Sequence, residues 1–262
     1  MEPAAQPVLF VSHGAPTLAL DGGEWARALK TWAWTLRGVQ GILVLSAHWE
    51  QAEPVRVMAH PSPETLHDFG GFPEPLYHLR YPSPGDPELA QRAVDLLQAG
   101  DFEAVTDPDR ALDHGAWVPL RAAFPEARIP VVEVSLPRPR TPRRVLEMGR
   151  LLAPLRREGV LLVGSGGAVH NLRLLDWTSH PQPDAWAVAF EAWLADNLAG
   201  GDLEQLLAAS GNAPFYSRAV PTPEHFDPLF FALGAAGRSQ VRTLYRGWSH
   251  GSLSLGTWVW EG

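Results

Sequence analysis

Four runs of mainly aliphatic residues, Val8–Val11, Ile42–Ser46, Val131–Leu136 and Val160–Val163, have the length of strands and little of the apolar-polar alternation that a half-wet strand shows. A strand without that alternation is buried on both faces, the condition of a parallel sheet covered by helices. Segments of helical period separate the runs, and helix signals punctuate them. Asp86-Pro87 and Thr141-Pro142 each offer a cap followed by proline at the first helical position, and Gly100 and Gly159 offer stops. Asp184–Leu198 reads as an amphipathic, tryptophan-bearing helix. Near the C-terminus "VRTLYR" and "SLSLGTWVW" alternate like paired strands around a Gly/Ser turn. The expected fold is therefore α/β, with a central, mostly parallel sheet flanked by helices. At 262 residues and 45% hydrophobic composition, one large domain over 1–262 is expected.

Charge and composition narrow the chemistry. With 21 Lys and Arg against 29 Asp and Glu the net charge is −8, and no basic cluster is long enough to follow a phosphate backbone. Nucleic acid and anionic membranes are thus excluded as expected partners. There is no cysteine, so disulfides and thiolate metal sites are ruled out, and a transition-metal site must be built from His, Asp and Glu. "MEPAAQPVLF" lacks the features of a signal peptide and no apolar run approaches the length of a membrane span, so a cytoplasmic protein is expected. Oligomeric state stays open.

In open α/β sheets ligands bind beyond the carboxyl ends of the strands. His13 and His48 follow two such ends, and "GVLLVGSGGAVHN" puts His170 a few residues past a third. His225 in "EHFDP" precedes a helix that Asp227 can cap and Pro228 can start, and "LDHGAWVPL" sets His114 beside Asp113. One loop histidine is ordinarily a solvated or hydrogen-bonded surface group, and His60, His67, His78, His180 and His250 are read that way. Five imidazoles converging without thiols point instead to metal or acid–base chemistry. "GSGG" at Gly164–Gly167 is neither a nucleophile elbow, since Val163 stands where a glycine would be needed, nor a phosphate loop. Its glycines are expected to let backbone approach a ligand closely at a strand end. The Pro/Gly-rich stretch His60–Pro87 carries Phe69, Phe72, Tyr77 and Tyr81 and reads as a functional loop. Phe72, Tyr77 and Trp49 are the expected pocket residues, with Trp117 a further aromatic wall.

The segments "SHGAPT", "LSAHWE", "HDFGGFPEPLYHLRYP", "LDHGAWVPL", "GSGGAVHNL" and "EHFDPL" jointly resemble the class III extradiol ring-cleavage dioxygenases, in particular the DOPA-type branch. The resemblance runs from about Val8 to Leu229. It implies a single α/β domain with one non-haem Fe(II), a site often found holding zinc after purification. It further implies His13, His48 and His225 as metal ligands, His170 as acid/base and possible fourth ligand, and His114 as the histidine contacting dioxygen. Glu224, adjacent to His225, is the alternative third ligand, because better-known class III enzymes use two histidines and a glutamate. The implied reaction inserts O2 into a catechol, DOPA-like or other, and opens the ring next to the diol. Two other readings use the same residues: a zinc-dependent hydrolase, and a non-catalytic binding protein like those of the related Memo family.

Overall fold

In a computed structural model the structure describes residues 5–178 and 182–261. Ten strands are present among these residues: β1 (Val8–Ser12), β2 (Gly41–Ala52), β3 (Val55–Met58), β4 (Ala104–Asp107), β5 (Val131–Arg138), β6 (Val160–Gly166), β7 (Val241–Tyr245), β8 (Trp248–Ser249), β9 (Leu253–Ser254) and β10 (Thr257–Trp260). Eight of them form one sheet in the order β4-β3-β5-β2-β6-β1-β10-β7. The four predicted apolar runs are its centre, β5-β2-β6-β1, and every pair among them is parallel. The sheet turns antiparallel on both sides of that centre, at β3–β5 and at β1–β10–β7. The predicted C-terminal pair is β7 with β10, and the short β8–β9 hairpin lies between them in sequence.

The helices are α1 (Gly23–Ala33), α2 (Pro87–Ala99), α3 (His114–Ala123), α4 (Pro142–Leu152), α5 (Ala185–Gly200), the short α6 (Leu203–Leu207), α7 (Ala209–Asn212) and α8 (Tyr216–Ala219), and α9 (Pro228–Ala236). Alternate strand residues face opposite sides. Leu9, Val11, Ile42 and Val44 pack with Trp25, Leu29 and Trp117 of α1 and α3, while Phe10, Leu43, Leu45 and Leu162 pack with α2, α4, α5 and α9. Asp86 and Thr141 cap α2 and α4 as read from the sequence, accepting from the backbone N–H of Leu89 and Arg144. Gly100 closes α2, and Gly159, at φ +87°, ends the 310 turn that continues α4. Asp227 behaves otherwise. Its carboxylate makes no cap bond and is ion-paired with Arg140, which also holds Glu50 at the end of β2. That long-range bridge ties the start of α9 to β2.

Two local features aim side chains at the carboxyl edge. Between Leu45 and Glu50 the register of β2 against β5 slips, with Leu45 opposite Val134 and Glu50 opposite Leu136. The surplus residues of β2 bulge there and carry His48 out of the ladder. Gly164 and Gly166 of "GSGG" meet backbone, a correction to the sequence reading, while Gly167 lies against the His170 side chain. A Cβ on Gly164 would lie 2.1 Å from the carbonyl oxygen of Pro228, and one on Gly166 would lie 2.0 Å from that of His225. They let residues 225–228 lie directly on β6, where Gly167 N–H donates to His225 O at 2.8 Å. No described helix is long and apolar enough to cross a membrane.

Candidate metal centre

His13 is the residue after β1, His48 sits on the β2 bulge, and His225 lies on the segment seated against Gly166. Their Nε2 atoms converge: His13 to His48 is 3.0 Å and His225 to His48 is 3.3 Å. The rear nitrogens say which atoms carry protons. Ser165 Oγ donates to Gly115 O, so it accepts from His13, whose Nδ1 lies 3.0 Å away and must carry the hydrogen. Glu224 Oε1 lies 3.0 Å from His225 Nδ1, and a carboxylate only accepts, so that Nδ1 is protonated too. With the hydrogen on Nδ1, the neutral tautomer of either ring turns its Nε2 lone pair toward one point. Burial, reinforced by the neighbouring imidazoles, holds His13 and His48 well below the usual histidine range, so both are neutral. Lone pairs this close repel one another unless a cation lies among them. Separations of 3.0 and 3.3 Å are also those of nitrogens about 2.1 Å from a shared ion at angles of roughly 90–105°. The donor set fits a divalent transition metal.

His170 lies flat on His225, centroids 3.5 Å apart and planes 8° from parallel. Burial first, then His225, lowers it to about 3, so its ring is neutral. His114 begins α3. Its backbone N–H and its Nδ1 both meet Asp68 Oδ1, at 3.0 and 2.9 Å, leaving Nε2 on the cavity side. Burial raises Asp68, but its bonds to His114 outweigh that and hold it below the usual carboxylate range. Buried Asp113 caps α3 and accepts from Ser46 Oγ at 2.7 Å and Arg110 Nη2 at 2.6 Å, while its own backbone N–H donates to Glu133. The bulge at His48 and the start of α3 are thereby locked together.

The cavity before these rings has a volume of about 300 Å³. All five predicted metal and acid–base residues, His13, His48, His114, His170 and His225, line it, with Phe69 and Phe72 as aromatic wall. Three pocket assignments are corrected. Trp49 is adjacent to His48 and so points away, into the core, where its ring carries the Arg110 guanidinium at 4.5 Å. Tyr77 stands behind Phe69, 5.4 Å between ring centroids, and its hydroxyl accepts from Phe72 N–H. Trp117 is likewise a buried support, 5.8 Å from His67 and 6.3 Å from Phe69 between centroids. Glu224 sits behind His225, its carboxylate engaged by Nδ1 and by Thr222 Oγ1. Of the histidines set aside, His60 accepts from Ser62 N–H, His78 faces Glu74 at the surface, His67 meets Leu79 O, and His250 meets Ser249 Oγ. His180 lies outside the described residues. Sequence reasoning missed Asp68 and Ser165, although an aspartate beside a histidine in "HDFGG" and a serine between strand-end glycines were both visible. It also missed Leu172, Leu175 and Trp177, which complete the cavity from the segment after His170.

The comparisons with known proteins agree with this geometry. Residues 7–254 match the family described as the catalytic LigB subunit of aromatic ring-opening dioxygenase. A 4,5-DOPA dioxygenase extradiol of Beta vulgaris is 40% identical over 95% of this chain and 94% of its own length. One of Escherichia coli K12 is 39% identical over 97% of this chain and 94% of its own length. A crystal structure of an uncharacterized E. coli K12 protein superposes with a TM-score of 0.81 at 33% identity, covering 97% of this chain and 99% of the other. The chain thus belongs to the LigB family, the metal-dependent extradiol dioxygenases that open aromatic rings.

Proposed function

We propose that residues 1–262 act as one catalytic domain that opens a catechol next to its diol with O2, through His13, His48 and His225 as metal ligands and His170 and His114 as the proton-handling pair. The observation that carries these roles is the convergence of three Nε2 atoms beside two further histidines in one cavity. Fe(II) is the metal expected for activity, with Zn(II) a possible occupant after purification. When bound, the metal acidifies the catechol hydroxyls and brings diol and dioxygen together.

The protein's own residues do the rest. Phe69 and Phe72 hold the flat ring and keep water from it. Neutral His170 accepts a hydroxyl proton. Burial weakens this base, so it takes the proton from a hydroxyl already acidified, and its imidazolium readily returns the proton. His114 has committed Nδ1–H to Asp68, so Nε2 donates once the ring takes a second proton, and the anionic Asp68 supports that charge. Such a donor stabilises negative charge developing on oxygen. Glu224 acts from behind His225, orienting the ligand. We place the activity in the cytoplasm, where a chain without disulfides is at home. The test is anaerobic reconstitution with Fe(II), then a catechol panel followed by oxygen uptake and the yellow semialdehyde product. Oxygen-dependent ring opening is expected. Turnover of no catechol by protein carrying a full complement of Fe(II) would overturn the proposal.

A further inference from the structure

Beside the histidines, the cavity is lined by Leu172, Leu175, Trp177 and Leu253. Leu172 and Trp177 are 59% and 70% exposed at its mouth, a large apolar area to leave in water beside a cavity. Trp177 is held in place. Asp176 N–H donates to His250 O, Ser252 Oγ donates to Leu174 O, and the His250 ring meets the indole edge-on with centroids 4.5 Å apart. The β8–β9 hairpin thus presents this wall at a fixed position. Among the described residues lining the cavity there is no Lys, Arg, Asp or Glu.

We infer that Leu172, Leu175, Trp177 and Leu253 form the subsite for the ring substituent, and that it selects catechols bearing a short uncharged alkyl or aryl group over those bearing a carboxylate or amino-acid side chain. The inference rests on the ring-cleavage reading and deepens it. An apolar substituent gains by covering Leu172 and the indole face. A carboxylate in the same place loses water and finds no cation among the described lining residues. DOPA, for which the relatives are named, carries both an ammonium and a carboxylate on its substituent. None of Leu172, Leu175, Trp177 and Leu253 is ionised to pair with that carboxylate.

The test compares 4-propylcatechol with 3-(3,4-dihydroxyphenyl)propanoate, probes of equal chain length that differ in the terminal methyl and carboxylate. With Fe(II)-loaded enzyme the propyl compound should have the higher kcat/KM by about tenfold or more, mainly through KM. Anaerobic calorimetry should give the same order of Kd without turnover. Trp177→Ala should cut the propyl-over-propanoate ratio by about tenfold, and Leu172→Lys should shift it the same way by supplying a cation. Equal kcat/KM for the two probes, or variants that lower both in proportion, would overturn the subsite. Failure to open any catechol, substituted or not, would instead overturn the ring-cleavage reading, and the calorimetric comparison would still decide the subsite.

Discussion

Gly166→Ala perturbs the site without touching any imidazole. The added carbon would lie 2.0 Å from the carbonyl oxygen of His225, whereas such carbons keep at least 3.0 Å, so one backbone must retreat by about 1 Å. The neighbouring bond from Gly167 N–H to His225 O, 2.8 Å long, is then stretched past a normal hydrogen bond. Because His225 Nε2 is 3.3 Å from His48 Nε2, a shift of that size takes one of three donors out of position. Overpacking of this kind costs about 1–3 kcal/mol of stability. Metal affinity should drop by about 10–100-fold, and turnover by roughly 10²-fold. Gly149→Ala is the control, because its added carbon would meet Phe231 O at 2.0 Å and Ala235 N at 2.8 Å, further along α9 from His225. Metal affinity comes from competition with a chromophoric chelator, and stability from melting of the metal-free protein. Both variants should melt lower, and Gly166→Ala should lose far more metal affinity. If the two lose stability alike and both keep wild-type metal affinity, β6 does not position His225 and the reasoning fails.

Three further outcomes follow from the same geometry. Ser165→Ala removes the acceptor for His13 Nδ1–H, and metal affinity should fall by about 10–100-fold at unchanged ligand count; a chelator titration matching wild type would show that the hydroxyl does not set the tautomer. His170→Ala should lower turnover by about 10²–10⁴-fold while metal is retained, and loss of the ion with the fold intact would make His170 primarily a ligand. Burial depresses His13, His48 and His170 below the ordinary value of 6.5, so the unfolded chain binds protons that the folded one refuses. Stability of the metal-free protein should therefore decline as pH falls below about 6.5, until the folded pKa values are reached, about 3 for His170. The limiting slope is about 1.4 kcal/mol per pH unit per histidine. Urea unfolding at pH 7, 6 and 5 reads it, and His170→Asn should remove about one proton's share.

The fold's centre was legible because β1, β2, β5 and β6 are apolar on both faces, a pattern that only a covered parallel sheet satisfies. His13 and His170 were legible as residues beyond strand ends, and His225 through the Pro228 helix start. What could not be read was non-local. Asp227 has every local attribute of a cap, but Arg140, 87 residues earlier, takes its carboxylate. The glycines of β6 signal close approach without naming what approaches, and it is the 225–228 backbone. Trp49 could have been placed, since adjacent strand residues point to opposite faces and His48 faces the cavity. Trp177 could not, because it belongs to an exposed segment with no periodicity to assign it a side.

The partners behind the imidazoles divide the labour of the site. His13 is backed by a hydroxyl, which fixes a tautomer without adding charge, so its ring stays neutral and its lone pair stays available. His225 is backed by Glu224. Burial works against ionising that carboxyl, yet bonds from His225 and Thr222 overcome it and lower it to about 2. An anion behind Nδ1 makes Nε2 a stronger donor, giving a set of neutral ligands one member with borrowed negative charge. His114 is also backed by an anion, Asp68, but its ring lies against His48, centroids 3.9 Å apart, and its Nε2 is not among the three that converge. There the same pairing orients a ring whose Nε2 faces the cavity and not the converging three. In the roles proposed above, two carboxylate–histidine pairs of similar geometry serve different ends, one strengthening a ligand's lone pair and the other orienting the histidine set beside dioxygen. What separates them is where each Nε2 points, and that is set by the β6 glycines under His225 and by the Asp113 cap at the start of α3.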